Sequence, residues 1–553
     1  MIRTARTSIV LLFALSSHLY AKPENPPKLL VVLAVDQMRA DVLDRFGDLF
    51  TGGLKYLTQE GVVLSNAHHE HAMTSTGPAH FVIGTGRHPG PAGILGNSWY
   101  DRNSQKRVYC VEDDKAISLG TGDLSVYYKN NSSSYRNVNA TALGDWLKKS
   151  SPKSKVYSIS VKDRSAVFMG GKNPDGVFWL DSEAGRFITS DYYMEKYPTW
   201  LDRFHASKPL DKYFGSIWRR SIDVAEYDRR CRPDDYPGED RSKGIPDRTF
   251  PHILPEPKAG ESPQYGELWN FPFLDEVLLH LATAIIDNKR LGGDEYPDIL
   301  NIGLSMSDGV GHRYGPFSHE VMEMFLTLDG YLGSFFEYLD IKIGLEHVMI
   351  ALTGDHGAGY LPEYSQELGL GGGRYGDQFK KLVEHLNTVL SDKFGVEKII
   401  EEVSAGSLFY DLNLLKKIGV EAGEIDEVIS PILVKTEWVD KIIPAAVLES
   451  NRPLTNLEQR YRNSHHMTIS GDLYYVPKPH WISKSPYGAS HGTPYDWDSH
   501  VPMIFAGNRI QRKTVLKGTM TVDFAPTIAA QLGLEIPSNV EGKPLDLSAA
   551  TRN

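Results

Sequence analysis

The sequence predicts an α/β protein whose mainly parallel sheet is covered by helices on both faces. Three observations carry this: apolar runs of strand length recur, amphipathic helical segments lie between them, and the runs adjoin Asp- and Gly-containing sequence. Residues 28–35 (KLLVVLAV) form the first run, near-continuous as in strands buried on both faces, and it ends at Asp36. Residues 298–304 (DILNIGL), 347–352 (HVMIAL) and 501–506 (VPMIFA) repeat the pattern. Between them, residues 273–289 place Leu274, Val277, Leu278, Leu281, Ile285 and Ile286 on one helical face, and residues 320–339 form a second amphipathic segment. Strands alternating with helices are the pattern of a parallel sheet between two helical layers.

Two stretches rich in Pro, Gly, Tyr and charge, 171–264 and 361–479, break this alternation and read as insertions. The second contains a helical period over residues 379–392 and a strand-like SLFYDL from Ser407, so it reads as a folded cap. The catalytic core is therefore expected to be discontinuous, over 28–170, 265–360 and 480–545. It ends in a helix from Phe524 followed by a turn.

With 41% hydrophobic and 23% charged residues, the 553-residue chain has globular composition; disordered, collagen-like and coiled-coil chains are excluded. Its 59 basic and 70 acidic residues give a formal charge of -11. That balance disfavours attraction to nucleic acid or an anionic membrane, so an anionic substrate needs a local positive cluster and no nucleic-acid partner is expected. Two cysteines, Cys110 and Cys231, supply neither a disulfide framework nor a CxxC zinc site, although a single disulfide stays open. Arg3 and Arg6, an apolar run over residues 9–15 and small or polar residues up to Ala21 read as a secretory signal over 1–21. This run is short of the ~20 residues that span a bilayer. A periplasmic or secreted protein without a stable membrane anchor is expected, with a monomer the favoured state.

In open α/β sheets ligands bind outside the carboxyl ends of the strands. Asp36, Asp308, His312, Asp355 and His356 follow the apolar runs, and His491 precedes the fourth. Asp308 and His312 are four apart, hence on one helical face. Taken singly, such an Asp caps a helix and such a His is structural; together, three Asp and three His exceed one tetrahedral zinc and suit two metal ions sharing a site. Manganese or iron would also accept such an Asp-rich set. Thr76, in TSTGPAH, stands where a helix begins, with Pro78 in its first turn. It is either a simple helix cap or a nucleophile whose hydroxyl a metal activates, beside N–H groups that hold a phosphate oxygen. His68, His69 and His71 lack a partner set and read as a solvated loop. His480, Asp496 and His500 flank His491 as supporting groups.

The motifs VDQMRAD, TGPAH with TGRHPGPAGILGNSWYD, SVKDR, SMSDGVGHRYGP, LTGDHG and SHGTPYDWDSHVP, in that order, resemble the alkaline phosphatase superfamily, most closely its secreted, zinc-dependent phosphomonoesterases. The resemblance implies an alkaline-phosphatase-like three-layer sandwich with two inserted cap regions. It implies Asp308, His312 and His491 as ligands of one zinc, and Asp36, Asp355, His356 and the Thr76 oxygen as ligands of a second. It further implies Thr76 as nucleophile, Asn97 on a non-bridging phosphate oxygen, and Lys162 with Arg164 as the cationic pair of the monoesterase branch. Two zinc ions and no third, magnesium, site are expected.

A Lys and an Arg directed at the phosphoryl group also favour a dianionic monoester on physical grounds, although SVKDR by itself also reads as a surface strand. The expected reaction hydrolyses small phosphate monoesters to an alcohol and inorganic phosphate through a phosphothreonine. Alternatives are a phosphodiesterase or nucleotide pyrophosphatase of the same superfamily, and a non-catalytic secreted binding protein. A sulfatase is disfavoured because Thr76 and His80 stand where a C/S-x-P-x-R motif is needed.

Overall fold

The computed structural model describes residues 25–120, 132–241, 248–484, 486–508 and 510–547; the segment read as a secretory signal lies outside them. At its centre is an eleven-stranded sheet. Its principal strands are β1 (Leu29–Val35), β2 (Val62–His68), β3 (Val156–Ser160), β4 (Gly176–Asp181), β5 (Arg186–Ser190), β6 (Asp298–Leu304), β7 (Val348–Gly354), β8 (His500–Gly507) and β9 (Lys513–Val515). They run across the sheet in the order β9–β2–β8–β7–β1–β6–β3–β4–β5, with Ser118–Leu119 beyond β5 and Thr519–Met520 also paired to β2. Neighbours from β7 to β4 are parallel. The expected fourth strand, β8, is antiparallel to both β7 and β2.

All seven residues of β1 are buried, because helices cover both faces. Successive side chains point to opposite faces. Leu29, Val31, Leu33 and Val35 enter one core with Leu278 and Ile285 of α3 (Phe273–Lys289) and with Leu328 and Leu332 of α5 (His319–Lys342). Leu30, Val32 and Ala34 enter the other, with Ile83 of α1 (Thr76–Thr85) and Phe524 and Ile528 of α6 (Phe524–Gln531). Burying each such aliphatic side chain contributes ~1.5–3 kcal/mol, so this run holds the two helical layers together. The bounds of α3 are those expected from its apolar period. Helix α5 begins just ahead of its apolar stripe, because the Ser318 hydroxyl accepts the Val321 N–H at 3.1 Å. Helices α2 (Asp163–Gly170) and α4 (Met306–Tyr314) follow β3 and β6 directly.

Strands β4 and β5 fall within 171–264, read above as an insertion, and extend the central sheet. Val177 and Trp179 pack on one face of the sheet and Phe178 and Leu180 on the other, a central-strand pattern that the surrounding Pro, Gly and charge conceal. The segment 361–479 contains a four-stranded antiparallel sheet: Ile400–Ser404, Ser407–Tyr410, Leu473–Pro477 and Val439–Pro444, in spatial order. Leu386 and Leu390 from helix Gly376–Phe394, and Ile425 and Ile429 from helix Ala422–Leu433, close a separate core over it. Cys110 and Cys231 are both free thiols.

Candidate active site

Strand register assembles the site. Val35 of β1 pairs with Leu304 of β6 and Gly354 of β7, so the three strands end level and Asp36, Asp355 and the start of α4 emerge side by side. Asp308 lies in the first turn of α4 and His312 one turn later, with His312 Nε2 3.2 Å from Asp308 Oδ1. Because β8 runs antiparallel, the loop before it reaches the same end of the sheet, and His491 Nε2 comes within 3.8 Å of Asp308 Oδ1. His356 Nε2 is 3.4 Å from Asp36 Oδ1 and 3.4 Å from Asp355 Oδ2. Two groups have ligand atoms close enough for a metal ion: Asp308, His312 and His491, and Asp36, Asp308 and His356. Asp308 is common to both. Asp355, expected in the second, adjoins it through His356.

Each histidine spends Nδ1 on a backbone carbonyl: His312 on Ala489, His356 on Gly357 and His491 on Thr74, at 2.8–2.9 Å. A carbonyl accepts only, so in the neutral ring Nδ1 carries the proton and Nε2 presents a lone pair. The lone pairs of His356 and His491 thus face carboxylate oxygens, while against the cost of burial the ionised Asp308 raises the pKa of His312 and pairs with it. Burial, together with His491 beside it, holds His356 well below the usual histidine range. Burial, with His312 as neighbour, lowers His491 to about 3. Asp36 Oδ1, Asp355 Oδ2 and His356 Nε2 are buried without hydrogen-bond partners. Burial and repulsion from Asp308 and Asp355 raise Asp36, and burial lifts Asp355 to about 7. Unpaired carboxylate oxygens facing imidazole lone pairs repel one another, and a divalent cation removes the repulsion; the donor set fits one.

Thr76 opens α1, and its hydroxyl lies 3.5 Å from Arg164 Nη2. The Gly77 N–H donates to Asn97 Oδ1 at 2.7 Å, which fixes that amide beside the helix start. A Cβ on Gly77 would lie 3.1 Å from this oxygen and 3.0 Å from Cys110 Sγ, so glycine lets the amide approach without displacement. Arg164 Nη1 donates to the Tyr109 hydroxyl at 3.3 Å, and that hydroxyl donates to Asp163 Oδ1 at 2.6 Å. Against the cost of burial, Tyr109 and Asp163 keep Arg164 charged. Lys162 is buried, not the surface charge of an exposed strand: Nζ donates to Asp308 Oδ2 at 2.6 Å and to Asp36 Oδ2. Burial opposes its charge, yet Asp308 and Asp36 hold its pKa above the ordinary lysine value.

All ten expected residues converge here, and the structure adds others. Gln37 donates its backbone N–H to Asp355 Oδ1 at 3.0 Å and its amide to Asp308 Oδ1 at 2.7 Å. Its φ of 61° turns the chain so that both bonds form. His80 Nδ1 donates to the Thr76 carbonyl at 2.9 Å and lies 3.3 Å from Asp355 Oδ2. Gln37 carries no spacing signal, because its partners are remote in sequence, whereas His80 stands four residues after Thr76 in the TGPAH motif. His69 and His71 are buried, contrary to the solvated loop expected: His69 bonds the Gly354 carbonyl and the Thr521 hydroxyl. His480, Asp496 and His500 do not support His491. His480 stacks on Trp497, Asp496 is exposed, and His500 bonds the Ser65 carbonyl. Asp498 does that work, accepting Thr493 N–H and O–H at 2.9 and 2.6 Å within the loop that carries His491.

Carboxylates and imidazoles at the strand ends, with a hydroxyl and a guanidinium facing them, define a metal-dependent hydrolase of the α/β class. Comparison with known proteins narrows this. Residues 30–496 match the family model of type I phosphodiesterases and nucleotide pyrophosphatases. The chain is 32% identical to alkaline phosphatase PafA of Elizabethkingia meningoseptica over 94% of both chains. It is 31% identical to alkaline phosphatase PhoV of Synechococcus elongatus over 94% of this chain and 92% of that protein. The crystal structure of wild-type PafA superposes with a TM-score of 0.87 at 31% identity, covering 95% of this chain and 99% of that one. The chain belongs to the type I phosphodiesterase/nucleotide pyrophosphatase family and is an enzyme of the alkaline phosphatase superfamily.

Proposed function

We propose that the protein is a phosphomonoesterase that hydrolyses phosphate monoesters to an alcohol and inorganic phosphate, with Thr76 as nucleophile. The observation that carries this reading is the Arg164 guanidinium facing the Thr76 hydroxyl, braced by Tyr109 and Asp163, with the buried Lys162 ammonium held nearby on Asp36 and Asp308. Two fixed cations suit the dianionic phosphoryl group of a monoester better than the monoanionic group of a diester.

Asp308, His312 and His491 would hold one divalent cation, and Asp36, Asp355, His356 and the Thr76 oxygen a second; two zinc ions are the proposed pair. Bound there, such cations supply Lewis-acid charge that eases loss of the Thr76 proton and stabilises the departing alkoxide.

Thr76 Oγ1 attacks phosphorus in line; the Oγ1–P bond forms as the bond to the ester oxygen breaks, and the alcohol leaves with a proton. Arg164 and the Asn97 amide donate to the non-bridging oxygens, and the N–H groups opening α1 add to that field. Water then attacks the phosphothreonine from the opposite side, the Oγ1–P bond breaks, and Thr76 recovers its proton as phosphate departs. Two inversions give retention at phosphorus. The positive, apolar and small-residue pattern of residues 1–21 supports export to the periplasm or medium.

The test is kcat/KM for matched aryl phosphate monoester, methyl aryl phosphate diester and aryl sulfate, repeated with Lys162→Ala and Arg164→Ala. The monoester should lead by orders of magnitude and lose that lead in both variants. A diester turned over equally well overturns the reading in favour of a phosphodiesterase.

A further inference from the structure

Beside the site, a cavity of about 430 Å³ opens between the core and the cap. Its volume lies within the ~300–1,000 Å³ of small-molecule sites. The core contributes Asn97, Trp481 and His491 to its wall, and the cap contributes Tyr375 and Tyr475. Asn97 and His491 set one end of the cavity against the reacting groups, so the alcohol portion of an ester held there extends toward the rings.

That aromatic wall is rigid. Tyr375 stacks on Trp438 with centroids 4.3 Å apart, and Tyr475 packs edge-on against the same indole at 5.8 Å. Trp481 pairs with Gly373 in a short parallel ladder. Its six-membered ring lies so close that a Cβ on Gly373 would fall 2.7 Å from it. One side of the indole is thereby seated on backbone. Trp497 is stacked by both His480 and Tyr495; among the described residues no ring is stacked on Trp481, which lines the cavity.

We propose that this cavity is the leaving-group site and selects phosphate esters of alcohols that carry a flat aromatic ring, with Trp481 as the stacking surface. This rests on the monoesterase reading above. A ring laid on a preformed indole gains dispersion and quadrupole attraction at little ordering cost, whereas a polyol gains little from the same surface.

Benzyl phosphate, adenosine 5′-phosphate and glycerol 1-phosphate all release a primary alkoxide, so differences among them report the cavity rather than the chemistry at phosphorus. The wild type should prefer the two aromatic esters. Trp481→Ala should cut kcat/KM by ~5- to 100-fold on those two, the range that loss of a stacking partner produces, and by less than about 2-fold on glycerol 1-phosphate. Trp481→Phe should restore most of the preference, which separates loss of the ring from loss of folding. Benzyl and adenosine esters losing rate together assign a general aromatic site, and loss on the adenosine ester alone assigns a nucleoside site. Equal loss on all three esters, or no wild-type preference, overturns the proposal. A wild type that cleaves a diester but none of the three monoesters overturns the monoesterase reading instead.

Discussion

Replacing Gln37 by Ala removes the amide that donates to Asp308 Oδ1 and leaves the backbone N–H bond to Asp355 in place. A hydrogen bond to a charged acceptor contributes about 1.5–3 kcal/mol. This corresponds to a loss of ~10- to 100-fold in metal affinity, the usual effect of removing a group that orients a metal ligand. Asp308 is a proposed ligand of the first cation, so the affinity of that site should fall. Gln37 also sits at φ 61°, a left-handed conformation that costs a non-glycine residue about 1–2 kcal/mol. Gln37→Gly removes the same amide but relieves the backbone. Both variants should therefore bind zinc equally weakly in a chelator competition, while Gln37→Gly, freed of metal, unfolds at the higher temperature. Wild-type zinc affinity in both variants would refute the argument that this amide orients Asp308.

Thr76→Ser should keep part of the activity, since a hydroxyl remains at the helix start, and Thr76→Ala should remove nearly all of it; full turnover by the alanine variant would sink the covalent mechanism. Chelation should abolish phosphatase activity and lower Tm, because the unpaired buried oxygens of Asp36 and Asp355 lose their cation, and added zinc should restore both. An unchanged Tm would mean that these residues hold no ion that contributes to the fold. Burial raises Asp498 from its ordinary 3.8 to about 7. The folded state then carries the extra proton between roughly pH 4 and pH 7, so stability falls as pH rises through that window and levels off above it, by about 4 kcal/mol at most. Asp498→Asn should flatten this decline in urea midpoints measured from pH 4.5 to 7.5; an identical slope in the variant would show that another group titrates.

Much of the fold was legible because burial leaves a local imprint. The runs over 28–35 and 298–304 are continuous since both faces of those strands are covered, and the apolar period of α3 fixes its length. Strands β4 and β5 were not legible: GVFWLD and RFITS are short and stand in Pro-, Gly- and charge-rich sequence, and only their pairing beside β3 makes them part of the sheet. The histidines at 69 and 71 misled for a related reason. Polar rings near a strand end look solvated until the fold brings the Gly354 carbonyl and Thr521 against His69 and packs His71 edge-on to it.

By itself the sequence determined which side chains could do the chemistry: acids and imidazoles at strand ends, a threonine at a helix start, and a Lys and Arg two residues apart. It also carried the family resemblance. Tertiary structure alone decided how they meet. The level ends of β1, β6 and β7 set Asp36 beside Asp355, and the reversed direction of β8 returns His491 to Asp308 across 183 positions. The left-handed turn at Gln37 ties two remote carboxylates together, and the cap folds an aromatic wall against the site. These depend on hydrogen-bond register and packing between segments distant in the chain, and no local pattern encodes them.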